Sequence, residues 1–145
     1  MSCVLISAGD LSGCEWPSAQ VNPYRSFQSL HSDLSIDHSV FVYQGTFAVP
    51  EISALSRAQQ SETFLEKKHP GPALVLAGEA VVIAPESLFA ETALGDAAAA
   101  SGDKQMAERA WQAAIQIAQH LEPDAQSSYI PDLESNIKRL SSGNN

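Results

Sequence analysis

Two patterns of apolar and polar positions divide the chain near residue 50. Before it, apolar residues come in short runs broken by turn formers. Val4-Leu5-Ile6 predicts a strand over 3–7, ended by the turn signal Ala8-Gly9-Asp10. An irregular stretch with Gly13, Pro17 and Pro23 follows, whose rings Trp16, Tyr24 and Phe27 are expected to pin it to a core. Ser39 to Phe47, with Val40, Phe41, Val42 and Tyr43, predicts a second strand, and Gly45 suggests a bulge or a close approach. The two strands are expected to pair. Two strands are marginal on their own, so they need helices behind them or further strands that the sequence does not display.

From Pro50 the apolar positions take helical spacing. A first helix is predicted from Pro50 to about Lys68, stopped by His69-Pro70-Gly71-Pro72. Ala73 to Ile83 reads as a second. Glu86-Ser87 opens a third that runs through Ala100 and breaks at Ser101-Gly102-Asp103. Lys104 to about Leu121 reads as a fourth. Asp124 can cap a fifth, in which Ile130, Leu133, Ile137 and Leu140 recur, with a kink or restart at Pro131. Residues 141–145 are expected to fray.

The helices fall into pairs with a fixed stride. Leu94-Gly95, Ala98, Gly102, Ala107, Trp111 and Ala114 place small residues where two antiparallel helices approach, a glycine at the turn and one indole in the groove between them. Ala73 and Ala80 precede Ala107 and Ala114 by 34 residues. On these residues the segment 54–121 resembles tetratricopeptide repeats, whose period is about 34 residues. Two departures stand out: Gln60-Ser61 occupy the place of Leu-Gly, and Gln119 that of the closing proline, which comes only at Pro123. The final helix, ending in Lys138-Arg139, looks like the polar cap that such stacks require.

Residues 3–47 resemble, more weakly, the end of the soluble extracytoplasmic domain of bacterial membrane glycosyltransferases of the protein-mannosyltransferase type. The residues concerned are Ile6-Ser7, Asn22 to Phe27 and Ile36 to Tyr43. The resemblance implies a strand/loop segment that finishes a larger soluble domain. It also implies an extracytoplasmic (periplasmic) location for a piece of a membrane protein, with a cytoplasmic location as the alternative. The catalytic acids of that family lie in its membrane-embedded part, so no catalytic role passes to any residue of this chain.

Composition narrows the function classes. The 145 residues are 44% hydrophobic and 17% charged, a balance that predicts a packed core. The net charge is −9, of which −3 falls in residues 1–49 and −6 in the rest. With no basic stripe in either half, nucleic acid is a poor partner. The longest apolar stretch, Pro72 to Pro85, is interrupted by Gly78 and Glu79 and is too short for a bilayer, so the chain itself is not expected to insert in a membrane. The opening MSCVLISAGD lacks the basic leader and long apolar run of a signal peptide. Cys3, in an apolar run, reads as a small core residue, and a Cys3–Cys14 bridge requires an oxidising compartment.

No catalytic constellation stands out, and no cofactor or metal is called for. His31, His38, His69 and His120 lack metal-ligand spacing. His31 and His38 flank Asp33 and Asp37 in what reads as a polar loop. The expected architecture is therefore α+β: a small N-terminal β/loop piece (1–49), an all-α tetratricopeptide-like helical hairpin array (50–141) and a disordered tail (142–145). The expected function is protein–protein interaction or scaffolding, with a protein or peptide partner in a small acidic groove on the third helix formed by Phe89, Thr92, Asp96 and Ala99. One alternative is a small enzyme with Cys14 activated by His31 or His38. The other is a purely structural completion of a parent domain.

Overall fold

A computed structural model describes residues 2–143. The chain divides into two compact units between Val49 and Pro50. A small antiparallel sheet belongs to the first and five long helices to the second, an α+β fold.

The first unit is built on β1 (Ser2–Ser7), β2 (Leu34–Ile36) and β3 (Val40–Gly45), in the order β1-β3-β2. The predicted pairing of β1 with β3 is antiparallel, from Ser2 opposite Gly45 to Ser7 opposite Val40. The third strand is the part the sequence did not display. It pairs Leu34 with Val42 and Ile36 with Val40 across a turn in which Asp37 and His38 both take positive φ, 49° and 55°. Ser39 N–H donates to the Ile36 carbonyl at 3.0 Å to close that turn. Gly45 ends β3 in regular register, without a bulge; a Cβ there would lie 3.1 Å from the Phe47 ring.

The signal read as a turn at Ala8-Gly9-Asp10 is a short helix, α1 (Ala8–Ser12). Ser7 Oγ caps it by accepting from Asp10 N–H at 3.0 Å, and Gly13 at φ 84° ends it. The core of this unit centres on Phe27, in a 3-10 turn over Arg25–Ser29. Its ring lies 5.0 Å from Tyr43 and 5.1 Å from Phe47, and its carbonyl accepts from Tyr43 Oη. Buried Asn22 ties the loop to α1, donating through Nδ2 to the Asp10 carbonyl at 2.9 Å and accepting from Tyr24 N–H at 2.8 Å.

Alternation along β1 corrects the reading of Cys3. Successive strand side chains point to opposite faces. Ile6 is 2% exposed on the covered face, whereas Leu5 is 60% exposed on the other, and Cys3 shares the side of Leu5. Both cysteines are free and exposed. The apolar run was legible, but only one of its two faces is covered.

The second unit contains α2 (Pro50–Glu66), α3 (Pro70–Ile83), α4 (Leu88–Ala100), α5 (Lys104–Ala118) and α6 (Pro123–Ser142). α2 packs on α3 and α4, α4 also on α3 and α5, and α5 on α6. The prolines expected to stop α2 instead begin α3, where Pro70 at the first position lacks only an N–H that has no helical partner anyway. α2 is stopped by a Schellman motif: Lys68 takes φ 60°, Lys68 N–H reaches Leu65 O at 2.8 Å, and His69 N–H reaches Phe64 O at 2.9 Å. α4 ends the same way, with Gly102 at φ 84° and Asp103 N–H on Ala98 O at 2.9 Å. α6 starts one residue before the expected cap, with Glu122 at the N-cap and Asp124 in the first turn. It continues through Pro131 and on to Ser142, past the expected frayed end; Asn144 and Asn145 lie outside the described residues.

Alanine fills the interior of this unit. Ala58, Ala73, Ala77, Ala93 and Ala97 form one buried cluster, flanked by Phe64, Leu65, Leu74, Phe89 and Leu94. Ala54, Ala80 and Ala90 form another. Ser61, at one of the departures from the repeat pattern, is fully buried, and its hydroxyl donates to the Ala73 carbonyl at 2.9 Å. A small side chain is kept at the contact and its polar atom is satisfied.

Candidate partner-binding groove

The four residues singled out on α4 form a stripe with helical spacing. The structure gives each a different role. The Phe89 ring meets Tyr129 of α6 edge-on, with centroids 6.1 Å apart and planes at 87°. Thr92 turns back on its own helix, Oγ1 donating to the Leu88 carbonyl at 2.8 Å. Asp96 Oδ1 accepts from Trp111 Nε1 at 3.0 Å, joining α4 to α5. Ala99 lines an open cavity of about 290 Å³ together with Trp111, Asn136, Arg139 and Leu140.

The place of Trp111 in that cavity depends on Gly95, one helical turn before Ala99. A Cβ at Gly95 would fall against Trp111 Cδ1 and Nε1, and 2.9 Å from its Cε2. No residue other than glycine leaves the indole this place. Trp111 is buried, and its one polar atom is taken by Asp96. The rim is polar: Arg139 Nη2 donates to Asn136 Oδ1.

Charge is distributed unevenly around the stripe. Burial raises the Asp96 carboxyl above the ordinary carboxylate range, while the Trp111 hydrogen bond and the Arg139 charge pull it back. Burial also raises Glu62 of α2, with further contributions from Asp96 and then Glu66. Glu62 of α2 thus feels Asp96, which itself feels the Arg139 cation of α6. Glu91 is raised by burial alone.

The α4 stripe is thus surrounded by residues that the sequence did not single out for it. Glu62, Trp111 as a cavity floor, and Tyr129, Asn136, Arg139 and Leu140 of α6 are among them. The signal present was the i, i+7, i+11 spacing of Tyr129, Asn136 and Leu140, which puts them on one side of α6.

The residues of the alternative site belong to the first unit. Cys14 Sγ lies 3.1 Å from Ser12 Oγ and 3.7 Å from the Gly9 carbonyl. His38 occupies the β2–β3 turn, and Asp33 Oδ2 accepts from Gln44 N–H at 2.7 Å. No hydrogen bond joins Cys14 to His31 or His38 among the described residues. Among those residues there is no cluster of three or more His, Cys, Asp or Glu able to hold a metal ion, and no helix long and apolar enough to cross a membrane. Comparison of the chain with protein families, with curated proteins and with solved structures yields no match.

Proposed function

We propose that the helical unit is a tetratricopeptide-like protein–protein interaction module that takes a segment of a partner protein along α4. The observation that carries this reading is the open cavity at Ala99, floored by the Trp111 indole and walled by Leu140, at the end of the Phe89–Ala99 stripe. An aromatic floor beside aliphatic walls is the composition of an anchor pocket at a protein interface. The polar rim of Asn136 and Arg139 supplies directional contacts around it.

Asp96 is a poor residue with which to test the groove by charge reversal, because it holds Trp111. Ala99→Trp is cleaner. It fills the cavity from a half-buried position and leaves the Asp96–Trp111 hydrogen bond both of its partners. Selection of binders from a displayed random-peptide library is expected to yield sequences that bind the wild type and lose binding to Ala99→Trp, while circular dichroism and the melting temperature stay unchanged. A library that yields no binders, or binders indifferent to Ala99→Trp, overturns the proposal.

A further inference from the structure

We propose that the outward face of α3 is a self-association surface. Two copies of the chain cross there antiparallel, about a two-fold axis between Gly78 and Glu79, with Val75 of each against Val82 of the other. This face is no part of the cavity at Ala99, and the proposal does not rest on the groove reading above.

α3 is apolar on every side. Of its 14 residues only Glu79 is charged. One side, Ala73, Ala77 and Ala80, is buried among alanines of α2 and α4. The opposite side carries Val75, 62% exposed, and Val82, 82% exposed. They stand two turns apart on one stripe. Pro72 and Pro85 are exposed at its two ends. A helix at a surface ordinarily turns charged and polar residues outward, whereas one that is apolar all round is covered all round.

Three features of the face fit a second copy. The first is its order, which reads alike from either end: Pro72, Val75, Gly78, then Glu79, Val82, Pro85. A two-fold contact requires this, because wherever residue i meets j, j also meets i. The second is Gly78, at which a Cβ would meet nothing within 4 Å among the described residues. Packing inside the chain does not require that glycine, and glycine weakens a helix interior relative to alanine. An antiparallel crossing centred between Gly78 and Glu79 sets the Glu79 side chain of one copy over the Gly78 of the other, where the space is open. The third is charge. Arg57 of α2 pairs with Glu79 at 3.3 Å, so the one carboxylate of α3 is compensated in place. Two copies of a chain whose net charge is −9 can therefore meet here without an unpaired carboxylate of α3 at the contact. A helix of this length spans about 21 Å. One such pair buries less than a standard interface, so the association is expected to be weak and reversible.

Sedimentation velocity of the full chain over a concentration series tests the proposal. A monomer–dimer equilibrium is expected. Added salt is expected to tighten it, because salt screens the repulsion between two acidic chains and leaves apolar contact intact. Val75→Glu and Val82→Lys each set a charge against a valine and are expected to weaken the dimer about tenfold or more. Both positions are exposed, so circular dichroism and the melting temperature are expected to stay unchanged. An equimolar mixture of the two variants is expected to dimerise again, because the carboxylate introduced at position 75 of one chain then faces the ammonium introduced at position 82 of the other. A chain that stays monomeric at its highest soluble concentration overturns the proposal, and so does a dimer indifferent to both substitutions. A mixture that does not recover overturns the antiparallel crossing. A wild-type dimer loosened by salt overturns its apolar basis.

Discussion

The two units solve the problem of a core with opposite materials. The first gathers a few large side chains around a small sheet: Phe27 is 1% exposed and touches the rings of Tyr43 and Phe47. The second packs helix on helix through alanines, with Ala54, Ala73, Ala77, Ala80, Ala90, Ala97, Ala98, Ala107 and Ala114 all without solvent exposure. A large ring concentrates burial at one point, so its loss leaves a cavity. An alanine interface spreads burial over many short contacts and depends on close approach. The first kind of core fails when something is removed, the second when something is added.

That contrast is sharpest in a pair of substitutions. Phe27→Ala is expected to destabilise by about 3–4 kcal/mol, the cost of deleting a buried ring. Gly95→Ala adds one methyl group against the indole of Trp111 and is expected to cost about 1–3 kcal/mol through overpacking, although alanine is the better helix former. Urea unfolding of both variants checks this. Gly95→Ala combined with Trp111→Leu should show coupling, because the added methyl no longer meets an indole. A Gly95→Ala variant as stable as the wild type would mean that the alanine interface has slack, and the contrast between the two cores would go.

A smaller effect separates the units by pH. Asp96, Glu62 and Glu91, all in the second unit, have carboxyls raised above the ordinary range, with burial the leading cause. In the window between the unfolded value, about 4, and the raised folded values, the folded chain holds more protons than the unfolded chain. Stability therefore rises as pH falls through that window and levels off below it. The urea midpoint is expected to be higher near pH 5 than near pH 7.5, and Asp96→Asn should flatten the slope. A midpoint that drops steadily on acidification from neutral pH contradicts the assignment.

The smallest expected change concerns a single backbone angle. Lys68 holds φ 60° at the end of α2, where Gly102 performs the same task at the end of α4. Lys68→Gly is expected to raise stability by about 0.5–1 kcal/mol, since glycine takes that conformation without the Cβ penalty. Thermal melts of the variant decide it.

Much of the helical unit was legible because its signals are local. Gly102 marked a turn, Ser101-Gly102-Asp103 a break, and the small residues Gly95, Ala98, Ala107 and Ala114 marked a close contact that Trp111 shares. These depend on residues a few positions apart or on one helical face. The first unit was less legible. β2 spans three residues, and its turn carries Asp37-His38 in place of the glycine that usually announces such a conformation. α1 is five residues long and rests on one serine cap. Elements this short are held by their neighbours more than by their own propensity.

The sequence by itself determined roughly where the five long helices lie, which positions stay small and where the chain changes from strand to helix, because propensity, capping and periodicity act within a few residues. Tertiary structure alone decided which face of β1 is covered, so that Cys3 and Leu5 lie outside while Ile6 lies within. It also decided that α6 brings Tyr129, Asn136, Arg139 and Leu140 to the α4 stripe some forty residues earlier. Such contacts depend on how packed elements meet in space, which no window along the chain records.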